Sequence, residues 1–141
     1  MASVLKYQAL ADPQDSFRLI ELLPASSDEA IHCLLKEFKL SQSPQYEALS
    51  YEWGTPLDLD WVTVNGCQYQ LRRNLHSALV QLRPAKTDSK RKLFVDAICI
   101  NQDDMEERST QVQLMGEIYK KAASVLVWLG QADNDSDLLL D

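Results

Sequence analysis

Apolar positions in this chain fall into short blocks separated by polar breaks, and the period of each block predicts its element. Phe17-Arg18-Leu19-Ile20-Glu21-Leu22-Leu23 alternates imperfectly and stops at Pro24, which predicts a strand. Between Ala30 and Leu40 the pattern fits two periods: Ile31, Leu34, Leu35 and Phe38 form a helical stripe, and Ile31, Cys33 and Leu35 a strand face. A second strand is the preferred reading. After the polar linker Ser41–Pro44, the aromatic-rich Tyr46–Gly54 reads as a strand running into a Gly-Thr-Pro loop. Trp61–Val64 and Cys67–Leu71 flank Asn65-Gly66, the pair that tolerates the positive backbone angles of a tight hairpin turn.

The second half switches between helical and strand-like periods. Asn74 is placed to cap a helix whose Leu75, Ala78, Leu79 and Leu82 share one face, ended by Pro84. Lys86–Lys92 reads as a loop, and Leu93–Ile100 as one buried strand with a single acid, Asp96, inside it. Asp104, Glu106 and Glu107 open a helix with the stripe Val112, Met115, Tyr119 and Ala122, and Lys120 and Lys121 close it. Ser124–Gly130 is another buried strand. Leu93–Gly130 therefore predicts two parallel strands lying side by side and joined by a right-handed helical crossover. Asp133–Asp141 looks like the start of a further capped helix.

Composition narrows the class. With 141 residues, 45% of them hydrophobic, the chain can bury one domain-sized core without disulfides or metal. A net charge of −7 repels phosphate backbones and anionic lipid, so neither nucleic acid nor membrane is an expected partner. Absence of a long apolar run or signal-peptide core places the expected location in the cytosol. Cys33, Cys67 and Cys99 are odd in number and widely spaced, which predicts reduced, partly buried thiols. His32 and His76 lack zinc-ligand spacing relative to them, and a Cys99–His76 nucleophile pair lacks a third, orienting group.

In an open parallel sheet, ligands bind outside the carboxyl ends of strands. Ser50, Tyr51, Trp53 and Gly54 lie at such an end, where Trp53 can stack on a base; simple packing of Tyr51 and Trp53 against the hairpin is the alternative and the preferred reading of the aromatic pair. Asp96 needs a partner if it is buried, and Arg108 is one candidate. Asn101 and Gln102 suit hydrogen bonds to a ribose or amide, with capping and turn formation as the alternative. Glu107 and Arg108 serve a ligand, an ion pair or a solvated helix start.

Three blocks together resemble the fungal heterokaryon-incompatibility (HET) domain family. They are Tyr46-Glu47-Ala48-Leu49-Ser50-Tyr51-Glu52-Trp53-Gly54, Asn74-Leu75-His76-Ser77-Ala78-Leu79, and Asp96-Ala97-Ile98-Cys99-Ile100-Asn101-Gln102 continuing through Glu107-Arg108 to Trp128-Leu129-Gly130. The resemblance implies a cytoplasmic module of programmed cell death, distantly similar to TIR domains. Its implied fold is a mostly parallel, flavodoxin-like sheet flanked by helices, with the hairpin inserted. Residues 1–45 would be a strand-rich extension packed on a 46–141 core that continues past residue 141. Implied chemistry is cleavage of NAD(P), with NAD a substrate and not a tightly held cofactor. The glutamate that stabilises the developing ribosyl cation would lie beyond this chain, leaving Glu107 as the candidate within it. Ser50, Tyr51, Trp53, Gly54, Asp96, Asn101, Gln102 and Arg108 would contact the ligand. The alternative is a non-catalytic module that signals by self-association or through a protein partner.

Overall fold

In the computed structural model, residues 5–25, 30–85, 90–131 and 136–140 are described. One mixed sheet runs through the molecule in the order β5-β4-β2-β1-β6-β3-β7-β8. The strands are β1 (Ser16–Leu22), β2 (His32–Lys39), β3 (Glu47–Tyr51), β4 (Leu59–Val64), β5 (Cys67–Arg72), β6 (Arg91–Phe94), β7 (Ser124–Gln131) and β8 (Ser136–Leu140). Helices α1 (Arg73–Leu82), α2 (Asp96–Cys99) and α3 (Met105–Lys121) fill the connections. None of the helices among the described residues is long and apolar enough to cross a membrane.

β1 is buried along its whole length, with antiparallel β2 paired to all of it and antiparallel β6 to Ile20–Leu22. Phe17, Leu19, Ile20 and Leu22 are fully buried and share one core cluster with Leu93, Phe94 and Leu126. The strand-rich opening of the chain is thus continuous with the sheet and core of the later residues. Both turn residues of the β4–β5 hairpin take the expected positive angles, φ 51° at Asn65 and 79° at Gly66. The Asn65 side chain also accepts the Leu35 N–H at 2.8 Å, tying the hairpin to β2.

β6, β3 and β7 form a run of three parallel strands, with β3, the earliest of them in the chain, in the middle, and β2 and β4 also pair in parallel. In-register neighbours share a face. Ala48 and Phe94 point to the side where Phe94 meets Tyr119 of α3, ring centroids 5.8 Å apart. Tyr51 and Trp128 point to the other side, where Trp128 meets Asn74 of α1. The β3-to-β6 and β6-to-β7 connections therefore pass over opposite faces, which makes a local doubly wound unit.

Several expectations need correction. The sheet is mixed instead of mostly parallel, since β1–β2, β1–β6, β4–β5 and β7–β8 are antiparallel. β6 and β7 share a direction, but β3 separates them. Leu93–Ile100 is not one strand: pairing with β3 ends at Phe94, and Asp96 opens a single helical turn whose dipole favours its carboxylate. Asn74 does not cap α1, which starts one residue earlier with no side-chain cap. Met115, Tyr119 and Ala122 of the expected α3 stripe pack against the core, but the fully buried residues of the helix are Gln111 and Ile118, and Val112 is 57% exposed. Gln111 sets that rotation by donating to the Ser16 carbonyl at 2.9 Å. The expected final helix is strand β8, whose backbone pairs with β7, while residues 132–135 lie outside the described set. Of the expected Lys86–Lys92 loop, residues 86–89 also lie outside it, and Arg91 and Lys92 belong to β6.

Candidate functional site

Two polar nodes sit at the carboxyl ends of the parallel strands. The first is a strap across β3 and β7. Asn74 donates through Nδ2 to the Glu52 carbonyl at 2.5 Å and accepts from Trp128 Nε1 at 3.0 Å. Gly54 and Gly130 flank it in the left-handed region, with φ 78° and 95°. A Cβ added at Gly54 would come within 3.6 Å of Asn74 Cβ, and one at Gly130 within 3.7 Å of its Oδ1. Both glycines therefore supply the backbone angle more than the space. Beside this strap opens a crevice of about 420 Å³ lined by Ser50, Tyr51, Glu52, Val127, Trp128 and Leu129.

The second node is a cage around α2. A four-residue helix leaves most of its carbonyls without ordinary helical partners, and in α2 only Asp96 receives one, from the Ile100 N–H at 3.2 Å. Here each one receives a side chain. Gln102 Nε2 donates to the Asp96 carbonyl at 2.9 Å, Tyr69 to Ala97 at 2.9 Å, Tyr7 to Ile98 at 2.6 Å and Arg18 to Cys99 at 3.0 Å. Arg18 also grips Glu107 with two contacts of 2.7 Å, in a pair whose side chains are 5% and 8% exposed. Glu107 Oε2 takes the Asn101 N–H at 2.7 Å as well, so both carboxylate oxygens are engaged. Tyr7 lies with its ring under the Arg18 guanidinium, 4.9 Å from centroid to carbon.

Tyr51 links the nodes by donating to Asp96 Oδ1 at 2.9 Å. Burial, followed by the neighbouring Asp96 charge, pushes the Tyr51 hydroxyl well above the usual phenol range, which keeps it protonated and donating. Burial likewise raises the Tyr7 hydroxyl. The Cys99 thiol, fully buried, is pushed up to about 12, so it is no nucleophile at neutral pH.

Of the residues the sequence singled out, Ser50, Tyr51 and Gly54 line the β3–β7 crevice. Tyr51, Trp53 and Gln102 line a second pocket on the hairpin side. Asp96 is held between Tyr51 and the start of α2, and Asn101 faces Glu107 through its backbone. Arg108 is exposed on α3 and is not the Asp96 partner; Tyr51 takes that place. Among the described residues no group of three or more His, Cys, Asp or Glu is placed to hold a metal ion. Arg18, Tyr7 and Tyr69 were missed. For Arg18 a signal existed: a charge inside an apolar strand demands a partner, the rule applied to Asp96. No comparable signal marked the tyrosines, whose partners are backbone carbonyls far along the chain.

A mixed α/β domain whose motif residues converge on one rim defines the class. Residues 46–141 match the family "Heterokaryon incompatibility protein (HET)", so the chain belongs to the HET domain family. It is also similar to "Heterokaryon incompatibility protein 6, OR allele" of Neurospora crassa, with 38% identity over 145 residues. That match covers 94% of this chain and 21% of the relative, so the chain spans about a fifth of the length of the curated relative it matches. No solved structure matches the chain.

Proposed function

We propose that this HET domain is a ligand-responsive cell-death module, and that its β3–β7 crevice receives a nicotinamide dinucleotide. The observation that carries the reading is the crevice itself, at the carboxyl ends of the adjacent parallel strands β3 and β7, in a unit whose β3-to-β6 and β6-to-β7 connections pass over opposite faces. This is the place where doubly wound sheets bind nucleotides, and the order β6-β3-β7 is the one that flavodoxin-like and TIR-like sheets begin with. Cleaving the nicotinamide–ribose bond needs a free carboxylate against the developing cation. Glu107 is committed to Arg18 and Asn101, and the proposal assigns that role to a glutamate beyond residue 141.

Nuclear magnetic resonance of the tryptophan indole N–H groups, with chromatographic measurement of NAD loss, tests this. Addition of NAD is expected to move the Trp128 resonance without consuming NAD, and a longer natural protein, once self-associated, is expected to consume it. An unmoved Trp128 resonance removes the dinucleotide, and a longer protein that kills cells while sparing NAD removes the cleavage.

Leu57 at 91% and Trp61 at 53% exposure favour a second reading, in which the hairpin side docks another copy of the domain and death is signalled by assembly alone. Trp61→Ser would abolish killing under that reading and leave it intact under the first.

A further inference from the structure

We infer that the pocket between the β4–β5 hairpin and α2 is a binding site for a planar aromatic ring carrying a negative charge. It has a volume of about 290 Å³, and its walls include Tyr51, Trp53, Tyr69, Leu75, Arg72 and Gln102. Tyr51 and Tyr69 commit their hydroxyls to Asp96 and to the Ala97 carbonyl, so what they give the pocket is fixed aromatic surface. The slot is ring-sized and mostly apolar, with few polar groups, as small-ligand sites are.

The charge preference comes from Arg72. Its guanidinium lies over the Trp53 ring, 5.0 Å from the centroid, and its Nη1 donates to the Gly54 carbonyl at 3.0 Å. Arg18, Arg73 and Arg91 each meet a carboxylate, at 2.7, 2.7 and 2.6 Å. Arg72 forms no ion pair among the described residues, although the chain carries a net charge of −7. A guanidinium has five N–H donors, and the one bond to Gly54 leaves the others to take a phosphate or carboxylate. Stacking and the carbonyl contact hold it in place beforehand, which reduces the ordering cost of binding. Gln102 spends its Nε2 on Asp96 and keeps Oε1 as an acceptor for a ring N–H or amino group.

This pocket lies on the hairpin side of Tyr51 and does not depend on the dinucleotide reading of the crevice. The three tryptophans, 53, 61 and 128, report the two sites separately. Phenyl phosphate, benzoate, adenosine 5′-monophosphate, adenosine and inorganic phosphate would be titrated while the indole N–H resonances are followed. The aromatic anions are expected to shift Trp53 saturably and Trp128 little, and the phosphate and carboxylate arms show which anion fits better. Adenosine and inorganic phosphate should bind more weakly by on the order of tenfold, the scale of one charge-assisted contact. Arg72→Gln should remove that preference, so that adenosine 5′-monophosphate binds no more tightly than adenosine. If Arg72→Gln fails to fold, added salt replaces it, because binding of the anionic probes to the natural protein must weaken as salt rises. The inference is overturned if adenosine binds as tightly as its monophosphate, if salt and Arg72→Gln leave affinity unchanged, or if no probe shifts Trp53.

Discussion

The Arg18–Glu107 node and the Asn74 strap are built from similar materials yet do opposite things. Arg18 and Glu107 are almost sealed from water, and every oxygen of Glu107 is taken. Asn74 and Trp128 make two neutral hydrogen bonds beside an open crevice. A buried, fully satisfied charge pair fixes one arrangement of the chain and has no valence left for a ligand. A polar group at an open rim positions its neighbours and still leaves space next to them. The contrast moves Glu107, the sequence's candidate catalyst, to the structural side, and moves Asn74, expected as a helix cap, to the site.

Removing one partner of the sealed pair is the largest test of the comparison. Arg18→Met leaves the Glu107 carboxylate buried without its cation, and is expected to cost about 3–5 kcal/mol of folding stability by denaturant titration. Glu107→Leu alone should cost a similar amount, because it strands Arg18. The double variant should recover much of the loss, since an apolar pair of similar size avoids both desolvation costs. A Glu107→Leu protein as stable as the parent would break the comparison and return Glu107 to the ligand-facing acids.

Next in size is the strap. Asn74→Ala deletes two hydrogen bonds in a half-buried place and is expected to cost about 1–2 kcal/mol. Its larger effect should be on the crevice, because the Glu52–Gly54 turn and the Trp128–Gly130 turn lose their common tether. Asn74→Asp keeps the acceptor for Trp128 Nε1 and loses the donor to Glu52, so it separates the two halves of the strap. The Trp128 indole resonance should move strongly in the alanine variant and weakly in the aspartate one.

The hairpin, β1, β3 and β7 were legible because each carries a local signal: Asn65-Gly66, alternating apolar residues, or a closed apolar run. The β6–α2 boundary was not. Leu93–Ile100 is apolar throughout apart from Asp96, and only the end of pairing with β3 at Phe94 decides where the strand stops. Of the expected α3 stripe, Met115, Tyr119 and Ala122 pack against the core, and only Val112 fails, because Gln111, a polar residue, is buried by a bond to β1 that no helical period encodes. Leu138-Leu139-Leu140 pairs as a strand because β7 presents an open edge there, which is tertiary information. For the site, sequence blocks named Tyr51, Trp53, Gly54, Asp96 and Gln102, and the structure brings them around one rim. The cage that holds Asp96 escaped notice, since Tyr7, Arg18 and Tyr69 reach it from three distant segments.

Tyr7→Phe probes the cage gently. It leaves the ring under Arg18 and removes the hydrogen bond to Ile98, so a loss of about 1 kcal/mol is expected. A neutral result would mean that water replaces the phenol, and that α2 is held by Arg18, Tyr69 and Gln102 without it.

The finest test uses the cysteines as reporters of which node has opened. Burial pushes the Cys33 and Cys99 thiols up to about 12, while Cys67 on the hairpin is half-buried. A disulfide reagent near neutral pH should therefore modify Cys67 quickly and the other two only through opening of the fold, because the thiolate is the reacting form. Arg18 holds the Cys99 carbonyl, so Arg18→Met should speed Cys99 labelling much more than Cys33 labelling. Asn74→Ala, which loosens the rim and not the cage, should leave the Cys99 rate close to that of the natural protein. Equal acceleration of Cys99 by both variants would mean that the two nodes open together, as one cooperative unit joined through Tyr51 and Asp96.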